Sequence, residues 1–505
     1  MSGRTASLRI GLAALAAQAS GALSRTLGRG GGTALPGLIA ERLAPDLLTH
    51  LAGQLPRGSV VVTGTNGKTT SCHMLARILA TAGMRPLRNA SGSNLSRGIA
   101  TTLAAHADWM GRLRGGASGL NGEARPDHEP AAVDRGAYDV GLFETDEAAF
   151  ARVARTLRPA VVVVTNLFRD QLDRYGEVDS VASLWRSALD DLATAAAAGP
   201  ARATPGQTLV LNADDPTVAA LAGAGDAAGR TIYFGIDDTR WGHAGLDHAA
   251  DAKVCSVCGA RFEHLVCFYG HLGHYRCPQG HQRPAPAVSA RRLEPRGFDG
   301  TDLTLATPAG ELAFRLPLPG LYNVYNALAA VAGALALGVP PEAIRQGLTT
   351  FSAAFGRLER VALGDRTLYL VLAKNPVGMN EALRTLLGAT EGRPRHLLLA
   401  LNDLDADGRD VSWIWDADFE LLAGRVAALT VSGRRAEDLA LRLKYAGVPD
   451  APRIEPDLAT ALDSALAPLP PGETLYAVLT YTAMLALRRV LTRRGHLRAY
   501  WEHEG

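Results

Sequence analysis

Lysine is nearly missing from this 505-residue chain: it stands only at positions 68, 253, 374 and 444, and every other basic side chain of that class is arginine. The scarcity makes each lysine conspicuous and leaves the interval from Thr165 to Asp215 with none. Net charge is almost absent too, at +2, which removes the electrostatic case for nucleic acid or an anionic membrane surface as the main partner. Cysteine occurs five times, four of them between Cys255 and Cys277. So few in so long a chain exclude a disulfide framework and point instead to a metal site. The Ala-rich stretch from Ile10 to Leu23 follows Arg4 and Arg9 in the manner of a signal sequence, yet Gln18 and Ser20 interrupt it and Arg25 and Arg29 follow. It is too short and too polar to span a bilayer. We expect residues 8 to 27 to form an amphipathic helix packed on the next domain, and a second helix over about 38 to 52.

What the chain does have is Val60-Val61-Val62-Thr63-Gly64-Thr65-Asn66-Gly67-Lys68-Thr69-Thr70. A β-branched run feeds a glycine turn, and Lys-Thr-Thr opens a helical pattern through Met74, Leu75, Ile78 and Leu79. Such a layout wraps backbone N–H groups around a polyphosphate and aims a helix N-terminus at it. Gly64, Thr65, Asn66, Gly67, Lys68, Thr69 and Thr70 are therefore the expected ATP-binding residues. Lys68 would meet the terminal phosphates, and Thr69 would offer its hydroxyl to Mg²⁺. The strand Tyr138 to Phe143 ends in Glu144-Thr145-Asp146-Glu147, which sets Glu144 to hold Mg²⁺ directly or through water; Asp146 and Glu147 stay open between ligand and solvated acid. Val161 to Val164 is an unbroken apolar run, the signature of a buried parallel strand. Residues 107 to 137, rich in Gly, Asp and Arg without periodicity, read as a surface insertion.

The cysteines supply a second constellation. Cys255-Ser256-Val257-Cys258-Gly259 sets two thiolates three residues apart in a glycine turn, half of a zinc knuckle. The other half, Cys277-Pro278-Gln279-Gly280-His281, is irregular. Cys255, Cys258, Cys277 and His281 are the expected structural Zn²⁺ ligands, with Cys267 as the alternative and the patch Tyr269 to Tyr275 holding further candidates. This ribbon would interrupt the central domain as an insertion over about residues 245 to 290.

Several segments carry a family resemblance. The form G-T-N-G-K-T-T, with Val62 where the wider P-loop pattern has Gly, is similar to that of Mur ligases and folylpolyglutamate synthases. Asn166-Leu167-Phe168-Arg169-Asp170-Gln171-Leu172-Asp173-Arg174-Tyr175-Gly176 resembles the MurT family, synthetase subunits of lipid II isoglutaminyl synthase, where the loop lies beside the nucleotide. Asn212-Ala213-Asp214-Asp215-Pro216 resembles a further Mur-type landmark. Asn323 to Ala330 is similar to the N-x-x-N-x-x-A-A segment whose Asn bonds the adenine edge, which implies Asn326 first and Asn323 second; an amide offers both donor and acceptor. Phe355-Gly356-Arg357-Leu358-Glu359 resembles G-R-x-E, implying that Arg357 reaches the transferred phosphate. Lys374-Asn375-Pro376 and the Asp-rich run Asn402 to Asp416 look like MurT and unlike ordinary Mur ligases. In that family an Asp completes a Cys-His-Asp triad on a glutaminase partner, so Asp410 or Asp416 is the implied counterpart. Two departures stand out. Gly280 occupies the position of the fourth ribbon Cys, and the carbamoylated lysine of typical Mur ligases has no counterpart between Thr165 and Asp215.

Together these readings imply an α/β protein: an N-terminal helical segment (1–55), a Mur ligase-like P-loop central domain (56–355) with the inserted ribbon, and a smaller Rossmann-like α/β domain (356–505). The implied activity is that of an ATP-dependent carbon–nitrogen ligase in peptidoglycan synthesis. It would amidate the α-carboxyl of D-glutamate in the lipid II stem peptide through an acyl phosphate, with ammonia from a GatD-like glutaminase subunit. Lys68, Glu144, Arg357 and Asp410 or Asp416 are the expected catalytic residues. We expect a cytoplasmic location, with membrane contact only through the lipid substrate. The alternative is a Mur or folylpolyglutamate-type ligase that adds an amino acid to a carboxylate. The absent bridging lysine, and too few residues before the P-loop strand for a nucleotide-sugar domain, weigh against it. A third possibility is an ATP-binding interaction protein with no activity.

Overall fold

A computed structural model describes residues 2–26, 34–89, 94–114, 138–170, 178–198, 207–223, 230–248, 250–351, 357–388, 393–448 and 452–497. The central sheet has nine strands in the order β11-β10-β9-β6-β5-β4-β1-β3-β2. These are β1 (Ser59–Thr63), β2 (Pro86–Arg88), β3 (Val140–Glu144), β4 (Val161–Val164), β5 (Thr208–Asn212), β6 (Thr231–Ile236), β9 (Val288–Pro295), β10 (Thr301–Thr307) and β11 (Gly310–Leu316). From β2 to β9 the neighbours are parallel, and β9, β10 and β11 finish as an antiparallel meander. Every residue of β1 and β4 is buried. That is why both read as continuous apolar runs: each face of a parallel sheet is covered. Val60 and Val62 join one core with Met74, Leu75 and Ile78, whereas Val61, Val162 and Val164 join the opposite one with Phe143, Phe150 and Trp185.

The second core is closed by helices ahead of β1: α1 (Ser2–Thr26), α2 (Ala34–Leu43) and α3 (Leu47–Ala52). Two expectations need correction. The first helix begins at Ser2, well before residue 8. The single helix expected over 38–52 is two, because Pro45 cannot donate its backbone N–H and disfavours helical geometry at Ala44. Helix α4 (Lys68–Thr81) follows β1, α5 (Ser96–Ala105) follows β2, and α6 (Glu147–Leu157) follows β3. All three therefore start at the C-terminal edge of the parallel sheet, the edge at which open α/β sheets bind ligands.

Between β6 and β9 lies a two-stranded hairpin, β7 (Glu263–Tyr269) and β8 (Leu272–Arg276). The last part of the chain forms a six-stranded sheet in the order β12-β13-β17-β14-β15-β16. Its strands are β12 (Arg357–Leu363), β13 (Arg366–Leu372), β14 (Arg395–Ala400), β15 (Val426–Ser432), β16 (Arg453–Ile454) and β17 (Thr474–Leu479). Only β12 runs antiparallel to its neighbour. Alternate residues feed two cores, Leu397 and Leu399 on one face and Leu398 and Ala400 on the other.

Candidate active site

The turn from β1 to α4 is tight because two glycines make it so. Gly64 (φ +133°) and Gly67 (φ +85°) occupy backbone regions that L side chains rarely adopt. A Cβ on Gly64 would lie 2.2 Å from Thr165 Oγ1, and one on Gly67 1.9 Å from Asn326 Oδ1. The turn is also clamped from beneath. Asn66 N–H donates to Asn166 Oδ1 (2.9 Å), Asn166 Nδ2 donates to Asn66 O (3.1 Å), and Thr165 Oγ1 donates to Asn66 O (2.8 Å). Thr65 and Phe168 exchange a further pair of hydrogen bonds.

Lys68, the N-terminal residue of α4, is buried and turns its ammonium back over the turn to Gly64 O and to Thr65 O (3.1 Å). Its counter-charge is Glu147 Oε2 at 3.1 Å. Burial pushes the Glu147 carboxyl up from its usual range, with Lys68 acting against that shift. One residue on, Thr69 Oγ1 donates to Glu144 Oε1 at 3.0 Å. Glu144 is fixed at the end of β3 by a two-way clasp with Asn89: its N–H donates to Asn89 Oδ1 (2.9 Å) and Asn89 Nδ2 donates to its carbonyl (3.0 Å). A hydroxyl and a carboxylate side by side at the mouth of a phosphate turn form an all-oxygen set suited to Mg²⁺. Asp146 is occupied elsewhere, capping α6 at Ala148 N.

The six-stranded sheet also reaches into this site. The turn after β13 carries Lys374, whose ammonium pairs with Asp170, and Asn375, whose Nδ2 donates to Asn66 Oδ1 at 3.1 Å. Desolvation alone would lower the Lys374 pKa, but Asp170 and Glu147 outweigh it and raise it. Lys374 thus brings a second ammonium close to Glu147, the acid that pairs with Lys68. Sequence reasoning missed Glu147, Asp170, Asn89 and Asn375 as partners. The only signal available was their position just beyond strand ends.

Asn326 and Asn323 lie in the helix Leu321–Ala336 that faces the P-loop, both buried. Asn326 Nδ2 donates to Asn323 Oδ1 (3.2 Å), and Asn323 Nδ2 donates to Pro319 O (2.7 Å). Thr70 is buried. Arg357 begins β12, but its side chain lies outside the described residues, as do Gln171 to Gly176 and residues 115–137. Asp416 forms an ion pair with Arg169 at 3.6 Å, whereas Asp410 is exposed and accepts from Ser412 N (2.8 Å).

In the hairpin insertion, the ligand atoms of Cys255, Cys258, Cys277 and His281 all lie within 4.8 Å of one another. Cys258 Sγ is 3.3 Å from Cys277 Sγ, and Cys255 Sγ is 3.5 Å from His281 Nδ1. Those spacings suit the edges of a tetrahedral site with metal–sulfur bonds of about 2.3 Å. Burial works to raise the Cys277 thiol, but the Gln279 N–H, His281 and Cys258 bring it down to about 7. Gly280 sits at φ +88°, which the turn can accept and a cysteine would resist. Cys267 is not part of this group. It turns into the hairpin to donate to Gly270 O (3.2 Å), and burial raises its thiol pKa to about 12. His271 and His274 are also elsewhere, at Asp215 Oδ2 (3.3 Å) and Ile236 O (2.8 Å). The hairpin tip bears on the nucleotide turn: His271 lies 4.5 Å, ring to ring, from Phe168.

A family model for the Mur ligase middle domain matches residues 62–276, and one for the MurT ligase C-terminal region matches residues 372–484. The chain is 32% identical over 498 residues to the MurT subunit of lipid II isoglutaminyl synthase (glutamine-hydrolyzing) from Streptococcus pneumoniae, a span of 97% of this chain and 99% of that relative. The Staphylococcus aureus subunit of the same name is 31% identical over 456 residues, 90% of each chain. Among solved structures, a pseudomurein peptide ligase type C from Methanothermus fervidus superimposes with a TM-score of 0.58 at 21% identity, covering 86% of this chain and 78% of its own. That likeness establishes a Mur ligase-like α/β fold.

Proposed function

The chain belongs to the family of MurT subunits of lipid II isoglutaminyl synthase, and from that membership we propose that it is the ATP-dependent synthetase subunit that amidates the lipid II stem peptide. The observation that carries the reading is the end-to-end match to those subunits; the two ammonium groups beside Glu147 agree with it. In this reading an oxygen of the D-glutamate α-carboxylate attacks the γ-phosphorus of ATP and ADP leaves, giving an acyl phosphate. Ammonia then attacks the acyl carbon and expels phosphate, leaving D-isoglutamine.

The chemistry gathers several negative charges in one place, so catalysis rests on charge placement. Lys68 exchanges Glu147 for the β- and γ-phosphates, and the N–H groups of Gly64 to Thr70 hold the rest of the polyphosphate. Lys374 approaches from the second domain, so its contribution depends on domain closure, and we assign Arg357 the same dependence. Thr69 and Glu144 would hold Mg²⁺, which supplies further charge compensation. Asn326, steadied by Asn323, takes the adenine edge. The Cys255, Cys258, Cys277 and His281 set would hold a structural Zn²⁺, since four protein ligands leave no open position.

The ammonia source is a separate glutaminase subunit, GatD-like, acting in the cytoplasm. With Asp416 engaged by Arg169, the exposed Asp410 is the better candidate to complete that partner's triad. The domain limits at 55 and 355, the ribbon limits at 245 and 290 and the Rossmann-like character of the last domain belong to the same proposal. An amino-acid-adding ligase is disfavoured by the lack of a lysine between Thr165 and Asp215. The test is to mix purified chain, glutaminase, ATP, glutamine and lipid II. Amidated lipid II is expected, with Asp410→Ala losing glutamine-dependent but not ammonium-dependent product. Product joined to an amino acid, or none under either nitrogen source, would refute the reading.

A further inference from the structure

Just beyond β4, the Asp170 side chain is only 1% exposed. One carboxylate oxygen, Oδ2, pairs with the Lys374 ammonium. The other, Oδ1, is buried with no hydrogen-bond partner among the described residues. Burying a charged acceptor without a donor is costly, and a catalytic role is one of the few reasons for a fold to keep one.

That oxygen belongs to the nucleotide site. Lys374 and Asp170 both act on the charge of Glu147, which pairs with Lys68 at 3.1 Å. Two residues before Asp170, Phe168 exchanges hydrogen bonds with Thr65 of the P-loop turn. Asp170, Lys374, Glu147 and Lys68 thus form one cluster of two anions and two cations.

The surroundings narrow what can dock on Oδ1. A carboxylate oxygen only accepts, so the ligand must be a donor. It must be small, because the atom has almost no exposed surface. Lys374 already compensates the Asp170 charge from Oδ2, so a neutral donor fits better than a further cation. Ammonia, which the amidation consumes, is neutral, compact and rich in N–H groups.

We propose that Asp170 Oδ1 seats ammonia for its attack on the acyl phosphate. The inference rests on the amidation reading and adds to it the residue that receives the nucleophile. One N–H donates to Oδ1, leaving the nitrogen lone pair free for the acyl carbon. The C–N bond forms as the C–O bond to phosphate breaks, and that electron pair leaves with phosphate. The proton shed by nitrogen passes to Oδ1 and on to the departing phosphate, which restores the carboxylate. Lys374, held on Oδ2, keeps the carboxylate oriented.

The test measures amide formation by the full chain from lipid II and ATP, with ammonium chloride varied and with glutamine plus the glutaminase subunit in parallel. Asp170→Asn is isosteric. Its amide oxygen should stay toward Lys374, so its NH₂ would face the seat and a donor would meet a donor. The KM for ammonium should rise about tenfold or more, while ATP affinity in calorimetry changes less than about threefold and the melting temperature holds. Lys374→Ala loses the ion pair but keeps the acceptor, so its ammonium KM should change less than about threefold while kcat falls. An unchanged ammonium KM in Asp170→Asn, or a rise matched by Lys374→Ala, would overturn the inference alone. So would a change confined to the Mg²⁺ requirement, which would give Oδ1 to a cation. Wild type that forms no amide from either nitrogen source would instead remove the amidation reading, and the inference with it.

Discussion

Lys68 and Lys374 approach the site from different sheets, and the difference predicts different kinetic signatures. Lys68 lies within α4 and touches the turn itself, so Lys68→Ala should abolish the heat of ATP binding in calorimetry and cut amide formation by about a hundredfold or more. Lys374 reaches the site through Asp170, so Lys374→Ala should lower kcat by about a hundredfold while ATP affinity changes less than about threefold. Equal losses in ATP affinity from both variants would contradict that division. Lys68, Thr69 and Glu144 were legible because a phosphate turn and a strand-end carboxylate are local patterns. Glu147 and Asp170 as lysine partners were not, because the ion pairs span 79 and 204 residues. No periodicity encodes such a distance.

Among the elements, the ribbon hairpin best separates what spacing can and cannot reveal. Two Cys turns were readable, but whether Cys267 joined them depended on hairpin register. Cys267 pairs with Gly273 in that register, which turns its sulfur toward Gly270 and away from the cluster. We expect one Zn²⁺ per chain by elemental mass spectrometry, lost in Cys258→Ser and retained in His281→Cys. Cys267→Ser should keep the metal. Because His271 and Tyr269 at the hairpin tip pack on Phe168, metal removal by chelator should also weaken ATP binding severalfold. Full zinc content in Cys258→Ser would exclude this ligand set. Helix α1 adds the converse lesson: its amphipathic pattern was visible, but which apolar face is buried emerges only once α2 and α5 are packed against it.

In the whole molecule the segment between β6 and β7 meets the part of the chain that carries the six-stranded sheet through charge. Arg384 grips both oxygens of Asp247 at 2.9 Å and also contacts Glu381 (3.1 Å) and Asp418 (3.5 Å), while His248 lies 3.3 Å from Asp418. Burial pushes Glu381 from 4.5 up to about 7, with Arg384 opposing and Asp247 adding to the rise. The folded state therefore binds this proton more tightly than the unfolded chain. Its contribution to stability is greatest below about pH 4.5 and declines as pH rises through about 7. Glu381→Gln should flatten that part of the pH profile and stabilise the chain on the order of 2 kcal/mol near pH 8 in denaturant titrations. An unchanged slope would mean that Glu381 does not govern it. The apolar runs of β1, β3 and β4 were readable, but short β2 and β16 and the strands β6 and β9 were not, and neither sheet order nor contact between the sheets is written in any local stretch.

The central claim is that the peptide acid is activated by phosphorylation, and isotope transfer tests it most directly. Lipid II carrying a heavy oxygen isotope in the D-glutamate α-carboxyl is incubated with the chain, ATP and ammonium, and the released phosphate is analysed by mass spectrometry. Transfer of one labelled oxygen to phosphate for each amide formed is the predicted result. Amide formed with unlabelled phosphate would contradict the account.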